Sequence, residues 1–193
     1  MRYAPGHKEH TRERIVSAAA RRFRSKGTEG ASVNDLMRDL RLTHGGFYRH
    51  FDSKEGLVAE AFEHGLKQGR EAALKAIAQA PPGGELKAII DDYLDLAHCD
   101  DVANGCPVAA LASEMVRRPR GARVVFQKAL REHIRLMEKY LPGTTEAERR
   151  QKAIALFSGM AGVLTVARAF NEEADRRAIL EGAKPFFLKA AQG

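Results

Sequence analysis

Apolar residues recur every three or four positions through most of this chain, in runs separated by Gly, Pro and short polar residues. That period belongs to helices with one buried face. Ile15, Ala18, Ala19 and Phe23 form the first stripe, and Gly27 ends it. Thr11 is placed to cap this helix, with Arg14 where a capping box prefers Glu. Residues 1–9, with Pro5 and Gly6, read as a loose basic arm. Ser32 caps a second, short helix with Asp35 at its third position and Val33, Leu36, Met37 and Leu40 facing inward. Leu42 and Thr43 form a turn, and Thr43 caps a third helix reaching about Phe51. Phe47 and Phe51, four apart, share its inner face.

Two short helices joined by a tight turn make a helix-turn-helix unit. Ser53 then caps a long fourth helix carrying Leu57, Ala61, Leu66, Leu74 and Ile77, stopped by Pro81, Pro82, Gly83 and Gly84. Helical periods follow at about 85–98, 106–117, 120–140, 145–170 and 175–191. Asn104-Gly105, Pro119, Pro142-Gly143 and Glu173 to Asp175 punctuate them. No long stretch alternates apolar and polar residues as a half-buried strand would. The expected fold is all-α: a three-helix head over residues 1–53 and a helical bundle over residues 54–193.

Composition sharpens this picture. The 193 residues are 44% hydrophobic, enough for a sizeable core, and the formal net charge is +7. Residues 1–50 hold eleven Lys/Arg against five Asp/Glu, whereas the remainder is nearly balanced at twenty-one against twenty. A polyanion would therefore meet the head. No apolar run is long enough to span a membrane, and the N-terminus lacks the apolar segment of a secretory signal, so a cytoplasmic protein is expected. Two cysteines, Cys99 and Cys106, are too few for a disulfide framework. Zinc-type spacing and a phosphate-cradling Gly-rich loop are both missing from the sequence, so neither metal, cofactor nor enzymatic activity is expected.

Within the stretch from Thr43 to Lys54, Tyr48 is the best phosphate contact, because a phenol can donate to a phosphate oxygen without reading a base. His50 and Lys54 come next; Lys54 lies in the first turn of the fourth helix, whose free amides also suit phosphate. Thr43, His44 and Gly45 are the candidate base readers. Arg49 is either a guanine partner or a backbone contact. Ser32 and Thr43 hydroxyls serve as caps and reach phosphate, while Lys8 and Arg12 add charge or belong to a solvated tail.

These residues carry a resemblance to the TetR family of bacterial transcriptional regulators. Phe23 to Gly27 is similar to the family's Phe-x-x-x-Gly ending of the first helix. Tyr48, Phe51 and Lys54, followed by Glu55 and Leu57, are similar to its Tyr-x-x-Phe-x-x-Lys pattern after the recognition helix. The specific likeness covers roughly residues 11–62. It implies a homodimer that reads double-stranded, palindromic operator DNA through two heads and usually represses until an inducer releases it. Two departures stand out. Arg41 occupies a turn position where the family commonly has Gly, so either the turn differs or Arg41 bears a positive φ, where its charge would reach a phosphate. Gly46 replaces a small side chain, leaving Gly45-Gly46 inside a short helix. The rival reading is a non-specific architectural DNA binder with no inducer pocket.

In the bundle, the segment 156–170 reads as an interface. Leu156, Met160, Val163, Val166 and Phe170 make an apolar stripe, Gly159 and Gly162 allow close helix approach, and Phe186 adds to it from the last helix. An inducer pocket is expected among Phe62, Leu66, Tyr93, Leu94, Ala97, Met115 and Phe126, with His98, Asn104 and Glu114 to orient a ligand. Cys106 precedes Pro107 at a helix start, where free amides and the helix dipole favour a thiolate able to meet an electrophile or oxidant. Some TetR-like regulators that sense electrophiles carry a similar Gly-Cys there. Cys106 is either such a sensor or a small packed thiol, and a Cys99–Cys106 disulfide is compatible with the spacing.

Overall fold

Three helices start on the side chains predicted to cap them. Ser32 Oγ accepts from the Asp35 N–H at 3.0 Å, Thr43 Oγ1 from the Gly46 N–H at 3.2 Å, and Ser53 Oγ from the Gly56 N–H at 3.1 Å. Each satisfies an amide that the helix cannot pair internally. A computed structural model describes residues 6–192, and these form ten helices and no strand. The head is α1 (His7–Lys26), α2 (Val33–Asp39) and α3 (His44–Phe47). The long α4 (Lys54–Gln79) leads into α5 (Glu85–Tyr93), α6 (Leu96–Asp100), α7 (Pro107–Met115), α8 (Arg120–Glu138), α9 (Glu146–Ala167) and α10 (Glu173–Gln192).

Several expected boundaries move. The first helix starts at His7 behind Gly6 at φ 93°, so Thr11 is a buried interior residue and caps nothing. The early turns are held down by Arg12, which bonds Glu60 and the His50 carbonyl and lays its guanidinium 4.3 Å from the Phe51 ring centroid. Of the expected arm, residues 1–5 lie outside the described residues, and residues 7–9 are helical. The third helix stops at Phe47, well short of Phe51. Gly45 and Gly46 each cost a helix about 1 kcal/mol relative to Ala, and the chain beyond them decays into turns, with His50 N–H bonded to the Phe47 carbonyl at 2.9 Å. The run expected over 85–98 splits because Asp95 captures the Ala97 N–H at 2.8 Å and starts a new helix.

Two cores result. The first joins Ile15, Phe23, Leu36, Phe47 and Phe51 of the head to Leu57 and Phe62 of α4, and runs on to Leu111, Met115 and Ala122 of α7 and α8. Head and bundle thus share packed side chains on both sides of Ser53. The second core gathers Ile90, Leu94, Phe157, Met160, Leu164 and Leu180 within the bundle. The 26 residues of α4, about 39 Å long, touch both.

Candidate DNA-binding face and internal cavity

The outward side of the head is polar and open. Thr43, His44, Gly45 and Arg49 are exposed, as are Ser32 and Arg41. Tyr48 is 61% exposed, so its ring is free of the core. Its ring is held edge-on to His44 and Phe47, with centroids 5.5 and 5.2 Å away. Phe47 itself is buried and stacks on Phe51 at 5.4 Å. One aromatic face therefore anchors the short helix while the next residue stands in solvent. Arg41 has φ 59°, the left-handed turn that a glycine would adopt without strain. His50 and Lys54 are half-buried. Partial burial and then the charges of Lys8, Arg12, His7 and Arg49 push the His50 imidazole below its ordinary range, so this edge of the head carries a positive field.

A polar seam ties the head to the bundle. Glu114 at the end of α7 accepts the Thr28 N–H at 2.9 Å and also the Thr28 hydroxyl. Arg118 donates to Thr28 and Glu29, and to Glu55 at 2.9 Å. Gly27, at φ 72°, lets the chain pass so close that a Cβ there would sit 2.8 Å from a Glu114 oxygen. Glu114, expected to orient a ligand, is instead committed to this clamp. Arg24 makes a second tie, its Nε donating to the Ala103 carbonyl at 2.6 Å in the loop between α6 and α7.

That loop forms one wall of an internal cavity of about 210 Å³ between α4, α5, α6, α7, α8 and α9. Of the expected lining, Leu66, Tyr93, His98, Asn104 and Cys106 face it. The others do not. Phe62 and Phe126 pack edge to face at 4.6 Å in the first core, which also takes Met115. Leu94 is wholly buried in the second core, and Ala97 is exposed on α6. These positions share the apolar type of a pocket lining, but the α5–α6 break turns Leu94 and Ala97 away from the cavity. The sequence reading missed His133, Phe157, Met137, Gln68 and Asp92, which also line it. His133 was legible only as one polar residue on the apolar stripe of α8.

Polar groups around the cavity are unevenly matched. His98 Nδ1 is 2.6 Å from the Tyr93 carbonyl, and its Nε2 accepts the Cys106 N–H at 2.9 Å, which fixes a neutral ring with its proton on Nδ1. Burial lowers the His98 basicity in the same direction. Cys106 is 7% exposed at the N-cap of α7, and both it and Cys99 are free thiols. His133 Nδ1 is buried without a hydrogen-bond partner, and the buried Tyr93 hydroxyl has only the Cys106 thiol beside it.

The outer side of α9 and α10 is apolar in part. Val166, Phe170 and Phe186 are 53%, 44% and 69% exposed, and Val163 is half-buried beside them. Gly162 has open space where a side chain would be. Leu156 and Met160, expected on this face, point inward to the second core because they fall on the opposite side of α9. Gly159 is filled from within: a Cβ there would meet the Phe187 ring of the same chain at 2.6 Å.

Residues 15–61, the span from α1 into α4, match the family of bacterial regulatory proteins, tetR family. The head is of tetR type. Over 144 residues the chain is 28% identical to the HTH-type transcriptional regulator LmrA of Bacillus subtilis, covering 74% of this chain and 77% of LmrA. Other curated regulators of the same type align over about half of their own length. The fold of the whole chain is that of solved TetR-type structures. Escherichia coli NemR in its reduced form superposes with TM-score 0.77 at 18% identity, covering 93% of this chain and 96% of NemR. AibR in complex with isovaleryl coenzyme A and operator DNA gives 0.64 at 16% identity, covering 91% and 96%. This chain, with its tetR-type head, is a DNA-binding transcriptional regulator of helix-turn-helix type. Among its described residues no helix is long and apolar enough to cross a membrane.

Proposed function

We propose that this protein is a homodimeric repressor that holds a palindromic operator and is released when the bundle cavity fills or Cys106 is modified. The observation that carries the reading is the outward face of the head, where Tyr48, His44 and Arg49 stand exposed on a capped turn beside a cluster of cations. Ser32, Arg41, Thr43, Tyr48, His50 and Lys54 serve as phosphate contacts. Thr43, His44 and Gly45 face base edges, and Arg49 joins one set or the other. One small head buries little DNA, so two must act together, and Val163, Val166, Phe170 and Phe186 supply the surface that pairs two copies. The protein works in the cytoplasm beside its DNA, as a binder rather than an enzyme.

Release follows from connectivity. The cavity shares the α6–α7 loop with Arg24 of the head, and α4 lines the cavity while its first turn flanks the DNA face. A ligand that prefers a different loop position biases the head by that difference in affinity and no more. Cys106 stands on the same loop, so a bulky adduct on its thiol acts at the same place.

The test is anisotropy titration of the protein against its own upstream DNA with excess unrelated duplex present. Saturable binding that survives the competitor supports an operator-specific regulator, whereas its loss indicates the architectural binder. Tyr48→Phe should weaken all sequences alike, and His44→Ala should change which base is preferred. Cys106→Ser should keep DNA binding and lose release by N-ethylmaleimide. Equal release of variant and parent removes the thiol branch and leaves the cavity.

A further inference from the structure

The cavity carries information about what fills it. His133 enters from α8, 7% exposed, and its ring lies 4.6 Å from Phe157. Tyr93 enters from the end of α5, 5.9 Å from the same phenyl ring. Phe157 is thus flanked by two polar groups that both line the cavity: His133 Nδ1, which lacks a partner, and the Tyr93 hydroxyl, which has only the Cys106 thiol beside it. Their hydrogen-bonding characters differ. His133 Nδ1 has no partner in the fold, and on a neutral imidazole it can accept a hydrogen bond. Burial, with the Arg70 charge adding to it, keeps that ring unprotonated well below neutral pH. Burial likewise keeps the Tyr93 phenol protonated, so it remains a donor.

Charge narrows the choice. Asp92 is the one lining residue with a formal charge at neutral pH, and burial raises its carboxyl above the usual range. No Lys or Arg lines the cavity. The nearest guanidiniums stand behind it: Arg24 is bonded to Ala103 and reaches Gln68, Arg70 is bonded to the Ala129 carbonyl and paired with Glu132, and Arg168 is bonded to the His98 and Cys99 carbonyls. An anion would find no counter-charge at the surface it touches, and a cation would be repelled by the layer behind. The apolar part of the wall is Leu66, Ile89, Leu136, Met137, Phe157 and Met160, with the uncharged polar Gln68, His98 and Asn104 at its other side chains.

We propose that this cavity binds a neutral, mainly apolar phenol, whose hydroxyl donates to His133 Nδ1 and accepts from the Tyr93 hydroxyl. The hydroxyl supplies the donor that His133 Nδ1 lacks and offers the Tyr93 hydroxyl an oxygen in place of the Cys106 sulfur, and the aromatic body takes the apolar part of the wall. A ligand without the hydroxyl leaves His133 Nδ1 buried and unpaired, which is the basis of discrimination. The assignment rests on reading the cavity as the effector site, and it can fail independently of it.

The test is calorimetric titration of DNA-free protein with three probes: para-ethylphenol, its methyl ether, and para-ethylbenzoate. The phenol should bind at least about tenfold tighter than the ether, and the benzoate weakest. His133→Phe keeps an aromatic ring and removes the acceptor, so it should erase the preference for phenol over ether. Tyr93→Phe should reduce it, and this variant serves if His133→Phe does not fold. Benzoate binding best, a preference unchanged in the variants, or no saturable binding of any probe would overturn the assignment. Phenol that binds with the expected preference but leaves operator binding unchanged keeps the ligand class and removes the inducer role.

Discussion

The proposed DNA-binding face and the internal cavity hold their polar groups in opposite states. On the head, Thr43, His44, Tyr48 and Arg49 are exposed, and water satisfies whatever they lack. In the cavity, His133 Nδ1 is buried with nothing to bond, and the Tyr93 hydroxyl has only the weak acceptor of the Cys106 thiol. A buried group left unpaired costs a fold about 1–3 kcal/mol. The head is therefore ready for DNA without rearrangement, while the cavity holds a standing cost that a matched ligand removes. That difference gives a ligand a reason to favour one state of the bundle, which any release mechanism requires.

If the two regions work separately until joined through the fold, breaking the dimer should harm one and spare the other. Val166→Arg places a charge on the exposed α9–α10 face and should dissociate two copies. Apparent operator affinity should then fall on the order of 100-fold or more, because the second head no longer binds at high effective concentration. Phenol titration should be unchanged. Analytical ultracentrifugation alongside both titrations checks this, and a dimer that survives the arginine would place the interface elsewhere.

The cavity's cost should also show in pH dependence. His133 has an ordinary value of 6.5 and in this fold is lowered to about 4, with burial the main cause and Arg70 second. Between those values the unfolded chain binds a proton that the folded chain refuses. Stability is thus complete above the unfolded value and is lost as pH falls toward the folded one, by about 3 kcal/mol for this residue. His64 and His98 are lowered too and act in the same direction. Urea unfolding across that range should be flatter in His133→Phe than in the parent. Parallel curves would mean that His133 is better solvated than its surroundings indicate.

Between the regions lies the seam, and it explains how much the sequence could reveal. The caps at Ser32, Thr43 and Ser53 were legible because a cap and its partner are three residues apart, and the period of α2 and α4 fixed which side faced inward. Phe47 and Tyr48 likewise took opposite sides by position alone. The clamp of Glu114 on Thr28 spans 86 positions, and nothing local announces it. The cavity has the same difficulty: its wall draws on six helices, so Leu94, Ala97 and Met115 look no different in sequence from Ile89, Met137 and Phe157. Glu114→Ala should cost about 2 kcal/mol, since it leaves the buried Thr28 amide and hydroxyl without an acceptor. Thermal unfolding would measure it. A loss within error would mean that water enters the seam and replaces the carboxylate.

The smallest expected effect separates stability from binding at a single residue. Arg41 holds φ 59°, where a Cβ adds strain of about 1 kcal/mol that glycine escapes. Glycine also gains freedom in the unfolded chain, which offsets part of that relief. Arg41→Gly should therefore raise stability by less than about 1 kcal/mol. It should also weaken DNA of every sequence and reduce the slope of log affinity against log salt by about 1 per head, as expected for one lost phosphate contact. A more stable variant with an unchanged salt slope would mean that the arginine bears its strain without touching DNA. A less stable one would mean that the Arg41 side chain contributes packing that outweighs its backbone cost.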